Sequence, residues 1–276
     1  MYKLEWRGGN TLNIIVLLKE VPDMEKVKFD RERGVIDRSS ASTQINPFDL
    51  NALQAAVDIR EEMGGNILAI SMGPARAEDS LKEAIARGAD EGLLLTDRAF
   101  AGSDTWATSF TLAEAIKEID HYDLIVCGEM TVDGDTAQVG PQVAEFLNIP
   151  HVAFVWGVEK INEDKLTVKS NLWNGTYLSE MKLPGLLTVS KDINNPQLPS
   201  LKDKMKARKA DIKKWGLQDI KSENLTDEDF GLSGSLTKVK DIKVPPKTKR
   251  ESKIWENEID EALKNLTEIL KKERRI

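Results

Sequence analysis

Short apolar runs alternate with stretches of helical periodicity along the first half of the chain, and this alternation most limits the possible fold. Asn13–Leu18 (NIIVLL) is almost continuously apolar and rich in β-branched residues, which is typical of a strand covered on both faces. Helical spacing begins near Asn46, and the order strand then helix repeats past Cys127. This order indicates βαβ units with right-handed crossovers. The sequence therefore predicts an α/β fold with a doubly wound, Rossmann-like, mainly parallel sheet.

The pattern changes after Pro150, because four predicted strands follow one another without intervening helices. They are His151–Trp156, Lys165–Lys169, Gly175–Lys182 and Leu186–Ser190. Consecutive strands of this kind favour an antiparallel extension of the sheet. Further on, a polar linker precedes apolar residues at helical spacing in Ile254–Leu270. We expect that stretch to form a C-terminal helical arm that packs on its own domain or on a partner subunit.

Composition excludes several classes of protein. A net charge of -7 over 276 residues argues against non-specific nucleic-acid binding. Cys127 is the single cysteine, which rules out an internal disulfide, and two histidines supply a histidine-based catalytic or metal centre poorly. The apolar runs are too short to span a membrane, and the N-terminus lacks the apolar segment of a signal peptide. We therefore expect a cytoplasmic protein.

The stretch Asp123–Val152 holds the clearest candidate site. Leu124–Cys127 predicts a buried strand that Gly128 ends, and a polar loop then leads into a helix that Pro150 closes. Backbone N–H groups of such a loop, together with the N-terminus of the helix, can hold a phosphate. An ordinary strand-to-helix turn explains the pattern equally well, since neither a GxGxxG nor a GxxxxGK[ST] motif is present.

Three more loops are predicted to lie beside this one. They follow the strands that end at Leu18, Ser71 and Leu95. In an open parallel sheet, ligands bind outside the carboxyl ends of the strands. The convergence of four strand ends thus favours a ligand site at this edge of the sheet.

The motif DGDTAQVGPQVAEFLNIP resembles the signature of the β subunit of electron-transfer flavoproteins. The similarity extends through KEVPD, INPFDLNAL, SMGPA, ARGADEGLLLTDRAFAGSDTWAT and NNPQLPSLKDKMKARK, and so covers the chain from Leu12 to about Trp215. The resemblance implies an adenine-nucleotide-binding domain over residues 12–200. An N-terminal extension, 1–11, would precede it. A recognition segment, linker and C-terminal arm that contacts an α subunit, 201–276, would follow.

Members of this family pair with an α subunit and carry electrons between flavin-dependent dehydrogenases and other acceptors. The β subunit buries AMP in simple members and a second FAD in electron-bifurcating members. The segment LLLTDRAFAGSDTWAT is similar to the bifurcating type, which favours FAD over AMP here. That type also implies NADH as a substrate, an acyl-CoA or similar dehydrogenase as partner, and a low-potential acceptor such as ferredoxin. The chain would then be an electron-transfer subunit of an oxidoreductase complex.

Residue by residue, the resemblance implies nucleotide contacts along four loops. They are Leu17, Asn46, Pro47, Phe48, Asp49, Met72, Gly128, Thr131, Val132, Asp133, Gly134, Asp135, Thr136, Ala137, Gln138 and Val139. In the bifurcating interpretation, a further group would line the flavin end: Thr96, Asp97, Arg98, Phe100, Asp104 and Thr105. Arg98 would stabilise negative charge on a reduced flavin. A solvated strand-to-helix connection is the other interpretation of that loop.

One position departs from the family pattern. Glu129-Met130-Thr131 stands where members commonly carry a basic residue, Gln and Ala. Because a carboxylate facing inward would repel phosphate, we expect Glu129 to face solvent or the partner.

The segment from Gln197 to Lys206 resembles the loop with which this family contacts its dehydrogenase. Leu201 matches the apolar anchor of that loop, and Met205 lies one helical turn further on. A solvated basic helix face is the plainer interpretation of the lysine-rich run that follows.

Two other functions remain open from the sequence. An adenine-nucleotide-binding module without a redox role would use the same loops. A hydrolase or ATP-dependent ligase is disfavoured, because no phosphate-binding Lys motif and no catalytic triad or metal-ligand set is present.

Overall fold

The computed structural model describes residues 11–23, 28–30, 35–37, 42–240, 254 and 259–273. The predicted extension 1–11, apart from its last residue, and the linker around residues 243–253 therefore lie outside the described residues. The chain divides into two compact units, residues 1–240 and 241–276. The second unit contributes one described helix, and its apolar residues Ile259, Leu263 and Leu266 are exposed.

Thirteen strands and eight α-helices are described. In chain order they are β1 Leu12–Leu18, β2 Glu20–Pro22, β3 Lys28–Asp30, β4 Val35–Asp37, β5 Thr43–Ile45, α1 Pro47–Met63, β6 Gly65–Met72, α2 Glu78–Ala86, β7 Glu91–Leu95, α3 Thr105–Lys117, β8 Leu124–Gly128, α4 Val139–Leu147, β9 His151–Ile161, β10 Lys165–Leu172, β11 Gly175–Lys182, β12 Gly185–Val189, α5 Leu201–Ala207, β13 Lys213–Trp215, α6 Leu217–Ile220, α7 Gly231–Gly234 and α8 Ile259–Lys272. Two further pairs, β2 with β5 and β3 with β4, form small antiparallel ribbons.

A nine-stranded sheet in the order β11-β10-β9-β12-β8-β1-β6-β7-β13 forms the centre of the first unit. Seven neighbouring strands, from β9 to β13, are mutually parallel, and β10 and β11 extend the sheet in antiparallel fashion. This confirms the predicted α/β fold with a mainly parallel sheet and an antiparallel extension. Every residue of β1 is buried, as its continuous apolar run predicts.

One detail of the extension differs from the sequence prediction. The first half of β9 and all of β12 are parallel members of the core, because β12 inserts between β9 and β8. Only the second half of β9 pairs with the antiparallel strand β10. Phe154 has a left-handed φ of 57° in β9, at the register shift within the pairing with β12 and just before the pairing with β10 begins at Val155. Strand pattern alone does not reveal such insertions, since a returning strand can pair with any open edge.

The two faces of the sheet bury separate apolar clusters. Helices α1 and α2 cover one face with Leu53 and Leu81, and α3 and α4 cover the other with Ile116 and Val143. Since the chain runs β1-β6-β7 in one direction and then returns to β8 on the other side of β1, the strand order reverses between β1 and β8. This is the point at which open α/β sheets bind ligands.

Candidate functional site

A cleft of about 450 Å³ opens where the strand order reverses, at the carboxyl ends of β1, β6 and β8. Leu17 and Met72 form part of its apolar wall, and Gly128 lies at the end of β8. The β8–α4 loop closes one side, and the segment from Phe100 to Thr105 closes another. Four separate stretches of chain thus meet at one concave surface, as is typical of ligand sites in this kind of sheet.

The β8–α4 loop is a compact turn that presents main-chain groups. The N–H groups of Gly134 and Asp135 donate to the carbonyl of Thr131 at 3.2 and 2.8 Å. Asp135 and Ala137 both adopt left-handed conformations, with φ of 51° and 53°. Helix α4 then begins at Val139, and the N–H groups at its start belong to Val139 and Gly140, which line the cleft together with the end of the loop. Such a set of donors suits an anion.

The first turn of α1 holds this loop from behind through Asn46. Its side-chain amide donates to the carbonyl of Met130 at 2.9 Å and accepts from the N–H of Val132 at 3.1 Å. Its own N–H donates to the carbonyl of Lys19. Asn46 is completely buried, and all three bonds go to main-chain atoms.

Asp49, one turn along α1, joins the two strands that flank the cleft. One carboxyl oxygen accepts from the N–H of Lys19 after β1 at 2.8 Å, and the other accepts from the N–H of Gly128 at 3.1 Å. A Cβ at position 128 would lie 2.5 Å from the Asp49 carboxyl and 2.6 Å from the Cβ of Phe48, so only glycine permits this approach. Burial raises the pKa of Asp49 to about 7.

An exposed ion pair joins Lys19, which lines the cleft, to Asp133 in the β8–α4 loop. The ammonium group of Lys19 lies 2.8 Å from each carboxyl oxygen of Asp133 in the β8–α4 loop. Burial raises the pKa of Asp133, but hydrogen bonds from Lys19 and Thr131 more than offset that effect and leave its pKa below the usual value. The ion pair with Asp133 thereby holds the ammonium group of Lys19 beside the β8–α4 loop.

Two carboxylates on the β7–α3 side act as helix caps. Asp97 accepts from the N–H of Ala99, and its other oxygen accepts from the N–H of Leu217 at 3.0 Å. Asp104 caps α3 by accepting from Ala107 and also accepts from Thr237. These bonds fix the segment that forms the far wall of the cleft.

Comparison with known proteins agrees with this architecture. A family model described as "Electron transfer flavoprotein domain" matches residues 33–220. The chain is 46% identical over 260 residues to the electron transfer flavoprotein subunit beta of Thermoanaerobacterium thermosaccharolyticum, with 94% of this chain and 98% of the relative covered. The chain belongs to the electron transfer flavoprotein β-subunit family.

Two other relatives carry more specific names. The caffeyl-CoA reductase-Etf complex subunit CarD of Acetobacterium woodii is 42% identical over 229 residues, covering 83% of this chain and 86% of the relative. The protein FixA of Sinorhizobium fredii is 39% identical over 248 residues, covering 88% and 86%. The similarity therefore runs along most of each chain and is not confined to one motif.

In this flavoprotein-family chain, the structure brings most of the predicted nucleotide residues to the cleft. Those that line it are Leu17, Asp49, Met72, Phe100, Asp104, Thr105, Gly128, Thr131, Gly134, Thr136, Ala137, Gln138 and Val139. Asn46, Pro47, Phe48, Val132, Asp133, Asp135, Thr96, Asp97 and Arg98 do not line it. Arg98 is exposed in a short 3-10 turn, away from the cleft of this chain.

The cleft also includes residues that the sequence analysis did not select. They are Leu18, Lys19, Gly102, Ser103, Thr108, Leu112, Cys127, Glu129, Met130 and Gly140. Helical spacing carries a signal for two of them, because Thr108 and Leu112 follow Thr105 on the same face of α3. Lys19 directly follows the first predicted strand, which is the position where ligand contacts are expected.

The sequence predicts that Glu129 faces solvent or the partner subunit. In the structure it is partly buried and lines the cleft. Burial raises its pKa, and the carboxylate of Asp192 acts in the same direction. The departure from the family pattern therefore places a carboxyl group beside the cleft, with a raised pKa that favours its neutral form.

The predicted partner-binding residues lie on a different surface. Leu201 and Met205 on α5 are exposed by 76% and 59%. The main-chain N–H of Gln197 donates to the side chain of Gln54, and Arg87 donates to its carbonyl, so Gln197 is fixed to the body of the unit. Gln197, Met205 and Lys206 line a broad groove beside α1 and α2.

The described residues contain neither a cluster of metal-binding side chains nor a helix that could span a membrane. Among them, no group of three or more His, Cys, Asp or Glu side chains is arranged to hold a metal ion. No helix in the described ranges has the length and apolar character needed to cross a bilayer.

Proposed function

We propose that the chain is the β subunit of a heterodimeric electron-transfer flavoprotein, that it binds FAD in the cleft, and that the complex carries out flavin-based electron bifurcation. In this proposal electrons pass from NADH to a flavin-dependent dehydrogenase, which acts on an acyl-CoA or similar substrate, and to a low-potential acceptor such as ferredoxin. An α subunit completes the heterodimer. The single observation that supports the proposal most is the cleft between β1 and β8, with its anion-binding loop and its second wall.

The residues of the cleft suit an adenosine phosphate. Leu17 and Met72 would offer apolar surface to a base, and the N–H groups from Thr136 to Gly140 would offer hydrogen bonds to phosphate oxygens. The ammonium group of Lys19 lies beside this loop and adds a positive charge. Main-chain donors and a lysine that is paired with Asp133 would together hold the phosphate.

The wall opposite the phosphate loop favours FAD over AMP. Phe100, Gly102, Ser103 and Thr105 line the cleft from the β7–α3 side, and Thr108 and Leu112 continue it along α3. Base, ribose and phosphate account for the wall formed by β1, β6 and the β8–α4 loop. The remaining wall offers apolar surface and hydroxyl groups to a larger ligand, as an FAD molecule would require.

Within the complex, FAD would supply the electron-accepting and electron-donating chemistry. The chain's own residues would bind and orient it. Phe100 and Leu112 would keep water from one side of the ligand, and Thr105, whose hydroxyl donates to Gln138 at 2.9 Å, ties the two walls together. Thr108 adds a hydroxyl to the same face of α3.

The relatives' names support the wider assignment. CarD is named as a subunit of a caffeyl-CoA reductase-Etf complex, so a close relative works beside an enzyme of CoA thioesters. The exposed side chains of Leu201 and Met205 give this chain an apolar surface for such a dehydrogenase, with Lys202 and Lys206 beside it.

A β subunit that holds AMP as a structural ligand is the second candidate. The loop from Gly128 to Val139 would bind the phosphate of AMP in the same way, and the β7–α3 wall would then contact the α subunit or its ligand. An adenine-nucleotide-binding module without a redox role would also use this loop.

The proposal is tested by mixing the purified heterodimer with NADH, ferredoxin and the partner dehydrogenase under anaerobic conditions. We expect ferredoxin to be reduced only when the dehydrogenase and its substrate are both present, because the two electrons of NADH are divided between two acceptors. Ferredoxin reduction that does not depend on the dehydrogenase's substrate, or no reduction at all, would contradict bifurcation.

A further inference from the structure

The first turn of α1 contacts both loops between which the proposed nucleotide lies. Asp49 accepts from the N–H of Lys19 after β1 and from the N–H of Gly128 after β8. Asn46 adds two bonds to the β8–α4 loop, at Met130 and Val132. Four hydrogen bonds from two side chains therefore fix the relative position of the two loops.

Both carboxyl oxygens of Asp49 are already used by the protein. Its side chain is buried against Gly128, which leaves no room for a Cβ between them. A carboxylate placed this way does not hold the nucleotide by its own hydrogen bonds; it acts through the main chain of its two neighbours. Resting on the proposed function, we propose that Asp49, together with Asn46, is a positioning residue that holds the two loops at the spacing the nucleotide phosphate needs, and that it does so as the ionised carboxylate.

The charge state matters because of the number of acceptors. An ionised carboxylate accepts at both oxygens, whereas the acid form keeps one good acceptor and brings a proton that needs an acceptor of its own. Protonation therefore weakens the link to either Lys19 or Gly128, which together with the side chain of Asn46 hydrogen-bond to the ionised carboxylate. Since burial raises the pKa of Asp49 to about 7, this change falls between pH 6 and pH 8, within the range of the experiment below.

Other charged groups near Asp49 act differently in that range. Lys19 contributes an ammonium group, and Asp133, with its lowered pKa, stays ionised. Burial raises the pKa of the neighbouring Cys127 thiol, with Asp49 adding to the effect, so the thiol stays protonated. Glu129 is the one other acid at the cleft whose pKa is raised, and it must be controlled for.

The test measures FAD binding to the full-length chain in its heterodimer at a series of pH values from 6 to 8.5. Positioning predicts that the affinity of the wild type falls several-fold as the pH is lowered, because Asp49 loses one of its two links. The variant Asp49→Asn is expected to bind about tenfold more weakly at pH 8, the loss of roughly one hydrogen bond, and to show no such pH dependence. The pH dependence is expected to persist in Glu129→Gln.

Two variants serve as comparisons. Asp58→Asn makes the same substitution on an exposed position of α1, where Asp58 accepts from Gln54, and is expected to match the wild type. Asn46→Ala removes the two bonds to the β8–α4 loop and is expected to weaken binding; it also moves the pH dependence to higher pH, because the hydrogen bond from Asn46 lowers the pKa of Asp49. Should Asp49→Asn fail to fold, the wild-type pH series still decides the matter.

The outcomes separate this inference from the proposed function. If Asp49→Asn binds FAD as tightly as the wild type, or more tightly because a repulsive charge has gone, the positioning role is wrong. A wild-type affinity that does not change with pH, or that rises as the pH is lowered, also overturns it. If the wild type binds neither FAD nor AMP at any pH, the proposed function fails instead.

Discussion

At the scale of single residues, the cleft depends on one close contact between α1 and β8. Gly128 admits the Asp49 carboxyl to the end of the strand, and the buried carboxyl takes a pKa of about 7. A carboxyl group whose folded-state pKa exceeds its unfolded value makes folding less favourable as pH rises between the two values. Asp49 thus lowers the free energy of unfolding near neutral pH. A buried group with a strongly shifted pKa is typical of functional sites.

The variant Asp49→Asn tests directly how the Asp49 carboxyl affects the free energy of unfolding. Between about pH 4 and pH 7 the unfolded wild type loses the Asp49 proton while the folded wild type retains it, so wild-type stability falls as pH rises and the variant does not share that fall. We expect the difference in free energy of unfolding to shift in favour of the variant by up to about 1.4 kcal/mol per pH unit. Urea denaturation of both proteins at several pH values measures it, and a difference that stays constant would contradict the raised pKa.

The sequence predicts the phosphate loop from a local signal, because glycine and small polar residues follow a buried run between Gly128 and Val139. The resemblance to the bifurcating type, and not that signal, points to Asp97 and Asp104 as flavin contacts. In the structure both cap helical turns, and of the two only Asp104 lines the cleft. Lys19 was missed because its ion pair with Asp133 joins residues 114 positions apart, which no local pattern reveals.

At the scale of elements, α1 contacts two different surfaces of the first unit. Asp49 in its first turn holds the loops of the cleft, and Asn51 in the following turn holds the segment that leads to α5. The side-chain amide of Asn51 donates to the carbonyl of Asn194 at 2.9 Å, and the side chain of Asn194 donates back to the carbonyl of Asn51 at 3.0 Å. Asn51 is buried, so these bonds have no competing water.

The variant Asn51→Ala tests whether the contact with Asn194 acts independently of the nucleotide cleft. It removes the bonds from the Asn51 side chain and leaves the first turn of α1 unchanged, so we expect faster amide hydrogen exchange at residues 194–200 and weaker binding of the dehydrogenase, with nucleotide content unaltered. Leu201→Ala is the comparison, because it removes an exposed side chain without touching Asn194. Loss of nucleotide from Asn51→Ala would show that the contacts made by Asp49 and Asn51 are not independent.

Element order was predictable from the sequence, but strand position was predictable only in part. Apolar runs and glycine or proline boundaries identified α1 and the strands on either side of it, because those signals are local. The insertion of β12 between β9 and β8 was not predicted, since it depends on which edge of the sheet is open when the strand arrives. The position of the site is nevertheless predictable, because β1, β6 and β8 are predicted strands of a parallel sheet and their carboxyl ends meet at one edge.

At the scale of the whole molecule, we propose that two separate surfaces bind two different ligands. The cleft is to hold a nucleotide, and α5 with the segment before it is to contact a dehydrogenase. Their separation lets each be changed alone. Leu201 is exposed by 76% and makes no part of the cleft lining.

The variant Leu201→Ala therefore should impair electron transfer to the dehydrogenase while the nucleotide content of the heterodimer is unchanged. An apolar anchor at a protein interface commonly contributes 2 kcal/mol or more, so we expect a rise in the apparent KM for the dehydrogenase of about tenfold or greater. The comparison variant is Leu232→Ala, an exposed leucine in α7, which should leave that KM unchanged. Nucleotide loss from Leu201→Ala would instead give this segment a structural role.

The nucleotide content of the purified heterodimer tests the central claim most directly. FAD and AMP released by denaturation are to be quantified per complex. The account predicts two FAD molecules and no AMP, one FAD lying in the cleft between β1 and β8 of this chain. One FAD with one AMP would contradict it, and would make the chain a structural subunit of a simple electron carrier.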